Sequence, residues 1–205
     1  SAIFIILFSK KLFKLRFFTL LSSVVLLIII SLINPIAKER VFDQTLKGMN
    51  LTNDKVEEKP YIFTKHYHEI YTSAYKMFLN NKLLGVGVKN FRHVCSDPRY
   101  YVNQKEICST HPHNTYIQIL AETGIIGFSF LLIALIYFCK YILNHLVLKF
   151  KGKYYFNDFE ICVLSGIAIY LWPLVPTLNV FNNWMNIAMI VNLPFLFWSV
   201  NLSTT

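Results

Sequence analysis

Four stretches of this chain, at about 17–36, 116–140, 159–178 and 184–200, are apolar blocks rather than helix- or strand-periodic mixtures. Each approaches the ~20 residues that cross a bilayer as a helix. No core built from the remaining residues could cover all four. With 55% of the chain hydrophobic and 15% charged, the composition agrees. The expected fold class is an all-α integral membrane protein, a multi-span helical bundle. The chain opens on Ser1 and runs directly into the apolar stretch 2–8, too short to span, which reads as the end of a further span cut by the start of a fragment. A signal peptide fits less well, because no small-residue cleavage site precedes a soluble domain.

The charges assign sides. Lys10, Lys11, Lys14 and Arg16 form a short basic loop before the first full span, and Lys140, Lys149, Lys151 and Lys153 form another after the second. Short loops rich in lysine stay cytoplasmic. Three regions follow: 1–36 holds the end of one span, a basic loop and a transmembrane helix; 37–114 is a large, partly helical external loop; 115–205 holds three further spans around the second basic loop. In a soluble protein the net charge of +9 would suggest nucleic acid. Here topology accounts for much of it, and no nucleic-acid partner is expected. The external loop still keeps an excess of lysine and arginine, which suits an anionic substrate or lipid headgroups.

Within that loop, residues 50–59 read as a solvated, turn-rich excursion. From 61 to 80 the positions Tyr67, Ile70, Tyr71, Ala74, Met77 and Phe78 have helical spacing, so an amphipathic helix lying on the membrane surface or the spans is predicted. Gly85-Val86-Gly87 interrupts it. Cys95 and Cys108 both fall in this loop; if it faces an oxidising periplasm, a disulfide between them is expected, and it would hold the segment before His111 in one geometry. Cys139 and Cys162, in or beside spans, read as packing residues. Pro173 and Pro176 are expected to kink the far end of the third span, and 179–183 is a short external turn.

The run from His111 to Gly127 carries the polar chemistry straight into a span. Thr115 followed by Gln118 has capping-box spacing, so a helix is predicted to start there. Unpaired amides and the positive end of the helix dipole then face the histidines, an arrangement suited to an anion. Asn114, Gln118 and Glu122 fall at i, i+4 and i+8, one polar stripe expected to line a pocket. A carboxylate near a bilayer boundary usually faces a cavity or a partner. Pro112 favours an extended backbone that turns the His111 and His113 rings apart, so His111 reads as structural. Gly124 and Gly127 read as a close helix-packing patch. His66, His68, His111 and His113 invite comparison with zinc sites, but nothing in their spacing sets a ligand geometry and no cysteine pair has finger spacing.

His113-Asn114, nine residues, then Gly124-Ile125-Ile126-Gly127 resembles the signature of the O-antigen ligase and polymerase superfamily of bacterial envelope enzymes. Gly85-Val86-Gly87-Val88-Lys89-Asn90-Phe91 is similar to that family's glycine-containing segment in its periplasmic loop, and Phe181-Asn182-Asn183-Trp184 to its late periplasmic turn. The resemblance runs from about Tyr61 onward. It implies a GT-C-like bundle in the bacterial inner membrane with its active site facing the periplasm. The implied reaction moves a glycan from undecaprenyl pyrophosphate to an acceptor, with inversion and with no metal or cofactor. The acceptor would be lipid A-core in a ligase, a growing carrier-linked glycan in a polymerase, or a protein side chain in a related oligosaccharyltransferase. His113 matches the family's essential histidine. The chain departs from the family in having Lys65, His66 and His68 on the amphipathic helix, where members often carry arginine.

Such a transfer needs an acceptor hydroxyl relieved of its proton, a stabilised pyrophosphate and a dry pocket open to lipid. Neutral imidazole suits the first task, and cations suit the second. His113 is therefore the expected catalytic residue. Lys89, Arg92, His66 and His68 are the candidate phosphate contacts, with Asn114, Gln118 and Glu122 lining the pocket. The main alternative is a transporter or flippase for a lipid-linked saccharide, which would not depend on one histidine. A nucleotide-sugar enzyme is disfavoured, since the chain has no cytosolic domain and no Asp-x-Asp cluster.

Overall fold

The computed structural model describes residues 2–9, 12–51, 60–100, 102, 108–153 and 155–204. Every regular element among them is helical. In order they are α1 (Ala2–Phe8), α2 (Phe13–Ile33), α3 (Pro35–Lys38), a π-helical turn (Glu39–Asp43), α4 (Gln44–Gly48), α5 (Lys65–Asn80), α6 (Phe91–Val94), α7 (Thr115–Phe150), α8 (Asp158–Tyr170), α9 (Asn183–Ile190) and α10 (Asn192–Thr204). Most of the turn-rich excursion expected at 50–59 lies outside the described residues.

Among the described residues two helices, α2 and α7, are long and apolar enough to cross a membrane. The stretches expected as the third and fourth spans form the shorter helices α8, α9 and α10, of 13, 8 and 13 residues. The shortening has local causes. Helix α8 stops at Tyr170, and the segment carrying Pro173 and Pro176 continues as irregular chain, because a proline lacks the amide that would extend the helix. The prolines thus end a helix rather than kink one. Helix α7, by contrast, does not stop near Lys140. It runs on to Phe150, so Lys140 and Lys149 are helical.

The two basic segments meet at one end of the molecule. His145, fully buried, accepts the Phe156 amide at Nδ1 and lies 3.0 Å from the Phe8 carbonyl at Nε2. A carbonyl only accepts, so Nε2 carries the proton. Lys149 Nζ donates to the Leu7 and Ser9 carbonyls, and Arg16 lies 3.6 Å from Asp158. The α1–α2 turn, the end of α7 and the start of α8 are thereby joined. Asn157 and Glu160 cap α8 reciprocally, and the Glu160 carboxylate accepts from Ser199 of α10 at 3.0 Å. Cys139 and Cys162 are free and exposed, not packed as expected.

At the other end, α5 lies on the first part of α7, beginning at Lys65 rather than Tyr61. Ile70, Tyr71, Ala74 and Met77 are buried against Phe91, Cys95, Tyr100 and Ala121, while Tyr67 is partly buried beside them. Burying Ile70, Met77 and Phe91 stabilises by roughly 2 kcal/mol each. Cys95 and Cys108 are joined, closing a sequence separation of 13 residues with Cα atoms 5.4 Å apart, a cross-link worth roughly 3 kcal/mol. Packing therefore outweighs the cross-link in placing this loop.

The loop after α5 is pinned to a break in α7. Gly124 has φ 65° and ψ −164°, outside any helical region, and the break frees backbone groups on both sides. The Ala121 and Glu122 carbonyls accept from the Val86 and Gly87 amides at 2.9 Å, and the Ile125 amide donates to the Lys82 carbonyl at 2.8 Å. Contact is close enough to require glycine on both chains: a Cβ at Gly124 would lie 2.3 Å from the Leu83 oxygen, and one at Gly85 2.4 Å from the Glu122 carbonyl carbon. Gly124 is thus a helix break that receives a loop, not part of a helix-packing patch as expected. A Gly124→Ala variant should lose at least about 2 kcal/mol through strain and overpacking. The expected readout is a lower thermal midpoint for the detergent-purified protein, with Gly152→Ala, where nothing approaches a Cβ, as the less affected control.

Candidate functional site

The start of α7 is built by Asn114, not by the predicted Thr115–Gln118 box. Asn114 Oδ1 accepts the Tyr116 and Ile117 amides at 3.1 and 3.2 Å, while its Nδ2 donates to the Pro173 carbonyl at 2.8 Å. Gln118 is drawn elsewhere: its Nε2 donates to Asn179 Oδ1 at 2.8 Å and Glu122 Oε2 at 3.2 Å, and its Oε1 accepts the Val180 amide at 3.1 Å. Glu122 also accepts the Lys89 and Phe91 amides at 3.1 and 3.0 Å. Asn114 is 6% exposed, and Gln118 and Glu122 are fully buried. The stripe expected to line a pocket is therefore a framework, because buried polar groups take the partners that neighbouring backbone offers.

That framework ties two distant segments to α7. On one side Glu122 fixes the turn of Lys89, whose backbone is left-handed with φ 58°, and the first amide of α6. On the other, residues 171–180 run beside the helix start: the Thr177 amide donates to the His113 carbonyl at 2.8 Å, and Tyr116 donates to the Leu171 carbonyl. The segment after α8, expected as the end of a span, is a wall of the site.

His113 lies between these walls. Its φ of 57° is left-handed, which folds its ring back so that the His111 and His113 centroids are 4.1 Å apart. This overturns the expectation that Pro112 turns the rings apart; the turn occurs after the proline, at His113 itself. Tyr67 of α5 presents its ring edge-on to His113 at 5.9 Å. Ser109, one residue after Cys108, places Oγ 3.0 Å from His113 Nε2, and His113 Nδ1 has no hydrogen-bond partner among the described residues. His111 is engaged at both nitrogens, with Thr177 O at 3.2 Å and Thr110 Oγ1 at 2.9 Å. The carbonyl fixes a proton on Nε2, and the ring acts as a spacer behind His113.

The candidate cations divide. Arg92 and His66 are exposed and near enough for their charge to act on His111 and His113 respectively. Lys89 is held through its backbone to Glu122. His68 lies against Tyr61 instead, with ring centroids 5.1 Å apart and the planes tilted by 47°, and lines a groove of about 260 Å³ with Tyr71, Thr72, Tyr75, Ile117 and Leu120. No group of three histidine, cysteine, aspartate or glutamate residues set to hold a metal occurs among the described residues. Ser109 and Thr177 were not singled out from the sequence, and Tyr67 was read only as part of the apolar face of the amphipathic helix. Ser109 had one usable signal, its place immediately after a cysteine expected to be bridged.

Desolvation, and then the neighbouring positive charge, lower the pKa of both rings below the ordinary 6.5. Above that value both folded and unfolded imidazoles are neutral and contribute no pH dependence. As pH falls below it, the unfolded chain takes up protons that the folded site resists, so stability must fall. Thermal midpoints measured from about pH 7.5 to about pH 5.5 should decline below pH 6.5, and a His113→Gln variant should decline less steeply.

Comparison with protein families matches residues 1–132 to the O-antigen ligase family. The match takes in α1 to α6 and the first half of α7. It includes residues 1–60, where no family feature was read, and leaves out the turn at Phe181–Trp184. No curated protein matches the chain, and no solved structure does. The matched part is more than half of the 205 residues and contains both the helix break and the histidine pair; the chain belongs to the O-antigen ligase family, membrane enzymes of the ligase and polymerase type.

Proposed function

We propose that this chain carries the catalytic histidine of a membrane glycosyltransferase that moves a glycan from undecaprenyl pyrophosphate to an acceptor on the periplasmic side. The observation that carries this reading is the state of His113: a ring clamped by Ser109, His111 and Tyr67, kept neutral by its surroundings, with Nδ1 unpartnered among the described residues. A neutral imidazole so held can take a proton in the transition state.

In the reaction the acceptor hydroxyl attacks the anomeric carbon from the face opposite the leaving group, inverting it. The bond from that carbon to the pyrophosphate oxygen breaks, and the hydroxyl proton passes to His113 Nδ1. Arg92 and His66 are the side chains best placed to meet the departing negative charge, with Lys89 nearby in sequence on the turn fixed by Glu122. As proposed, the reaction uses no metal. The acceptor, lipid A-core or a second carrier-linked glycan, sets whether the enzyme is a ligase or a polymerase.

The test uses the complete protein in membranes with an undecaprenyl-pyrophosphate glycan and lipid A-core. His113→Ala should reduce transfer by about 10²- to 10⁴-fold while membrane insertion persists. His111→Gln should cost far less, as befits a spacer. Full activity in His113→Ala would remove the proposed role. A single acceptor-linked product would identify a ligase and a ladder of longer carrier-linked chains a polymerase.

A further inference from the structure

The turn between α5 and α6 presents apolar side chains that the site does not use. Leu83, Leu84 and Val88 are 66%, 72% and 56% exposed, although the backbone between them is among the most firmly held in the chain. Lys82 and Lys89, both exposed, flank them. Loops exposing contiguous apolar side chains between two cations are unsuited to water alone. Because the Gly85–Gly87 backbone is hydrogen-bonded into the α7 break, these side chains are also fixed at one level along that helix.

The level can be placed. Immediately beyond the break, α7 exposes Ile125, Ile126 and Phe130, and immediately before it come the buried polar groups of Glu122 and Gln118. At the opposite end, Asn144 precedes His145, where the basic segments, Arg16 and Asp158 gather. From Gly124 to Lys140, the first charged residue beyond the break, is 16 residues, which at about 1.5 Å each makes ~24 Å; the long Lys140 side chain can carry its charge on toward the headgroups, so the stretch comes close to the ~30 Å of a bilayer's hydrocarbon core. The break therefore coincides with the outer boundary. A backbone interruption is tolerated at that depth only where its freed amides and carbonyls are paired, and Lys82–Gly87 pairs them.

We infer that the turn Lys82–Lys89 is a membrane anchor. Leu83, Leu84 and Val88 enter the acyl boundary of the outer leaflet, and Lys82 and Lys89 reach its phosphates. The occupant is phospholipid rather than protein: the apolar patch is continuous with the lipid-facing side of the α7 span, and its flanking charges are complementary to lipid headgroups. The first segment of α7, Thr115 to Thr123, then stands clear of the hydrocarbon and carries His113 at its far end. This anchoring holds whether or not His113 is the proton acceptor.

Nitroxide spin labels test it. In the complete protein with Cys139→Ala and Cys162→Ala, Leu84→Cys or Val88→Cys is labelled and reconstituted in vesicles of phosphatidylethanolamine and phosphatidylglycerol. Arg99→Cys serves as the aqueous reference. The ratio of collision with oxygen to collision with a water-soluble nickel complex should be several-fold higher at 84 and 88 than at 99. A ratio equal to the reference would mean the turn stands in water. Poor access for both probes would mean protein covers it, another segment or a second copy. Either result overturns the anchor.

Discussion

The arrangement of the site depends on the interruption of α7 at Gly124. A helix that breaks near a bilayer leaves amides and carbonyls with nothing to bond, each costing several kcal/mol if left unpaired in hydrocarbon. The cost is avoided because the chain brings back a second backbone, Lys82–Gly87, in the one conformation that reaches those groups. Two glycines permit the approach, since a Cβ on either would occupy the other chain. Glu122 continues the junction by one residue, its carboxylate collecting the amides that open the next turn.

From that junction the order of the site follows. The turn at Lys89 starts α6, α6 packs Phe91 into the core formed with α5, and Cys95 carries the path across to Cys108. Ser109 is next in the chain and touches His113. An independent path arrives from the other direction through Thr177, Asn179 and Val180, each bonded to the start of α7 from about 60 residues away. His113 lies where the two paths meet. Its left-handed backbone is the sort of unfavourable conformation that persists only when surrounding contacts over-determine it, and here they do.

The sequence was most legible where one periodicity dominated. The apolar runs at α2 and α7 and the buried face of α5 are patterns of hydrophobic spacing, and tertiary contacts only moved their ends. It was least legible where backbone met backbone. The pairing of Lys82–Gly87 with a broken helix leaves no side-chain signature beyond scattered glycines, and glycines three positions apart in an apolar helix have a commoner meaning in helix packing. The His111–His113 contact was hidden for a related reason: the restriction imposed by Pro112 is local, whereas the positive φ of His113 is imposed by Thr177 and Ser109, remote partners that no spacing rule contains. Asn114, Gln118 and Glu122 were rightly seen as sharing a face. Their use as framework could not be read without the 171–180 segment, whose prolines suggested a kinked span.

The electrostatics of the site make sense as a device that waits for its substrate. Burial first, and then the charge of His66 on His113 and of Arg92 on His111, oppose protonation of the histidine pair, which makes His113 a weaker base than a free imidazole. On the proposed reading, the ligand these cations attract is a pyrophosphate. Its charge, once bound, cancels theirs at the histidine and favours the imidazolium that proton transfer creates. The same groups then keep the base unprotonated before binding and let it strengthen afterward, and the ring becomes most basic when the acceptor's proton has to leave. A transporter would gain nothing from such coupling between an anion site and one neutral ring, whereas a transferase that must ionise a hydroxyl beside a departing pyrophosphate would gain at the step that limits it.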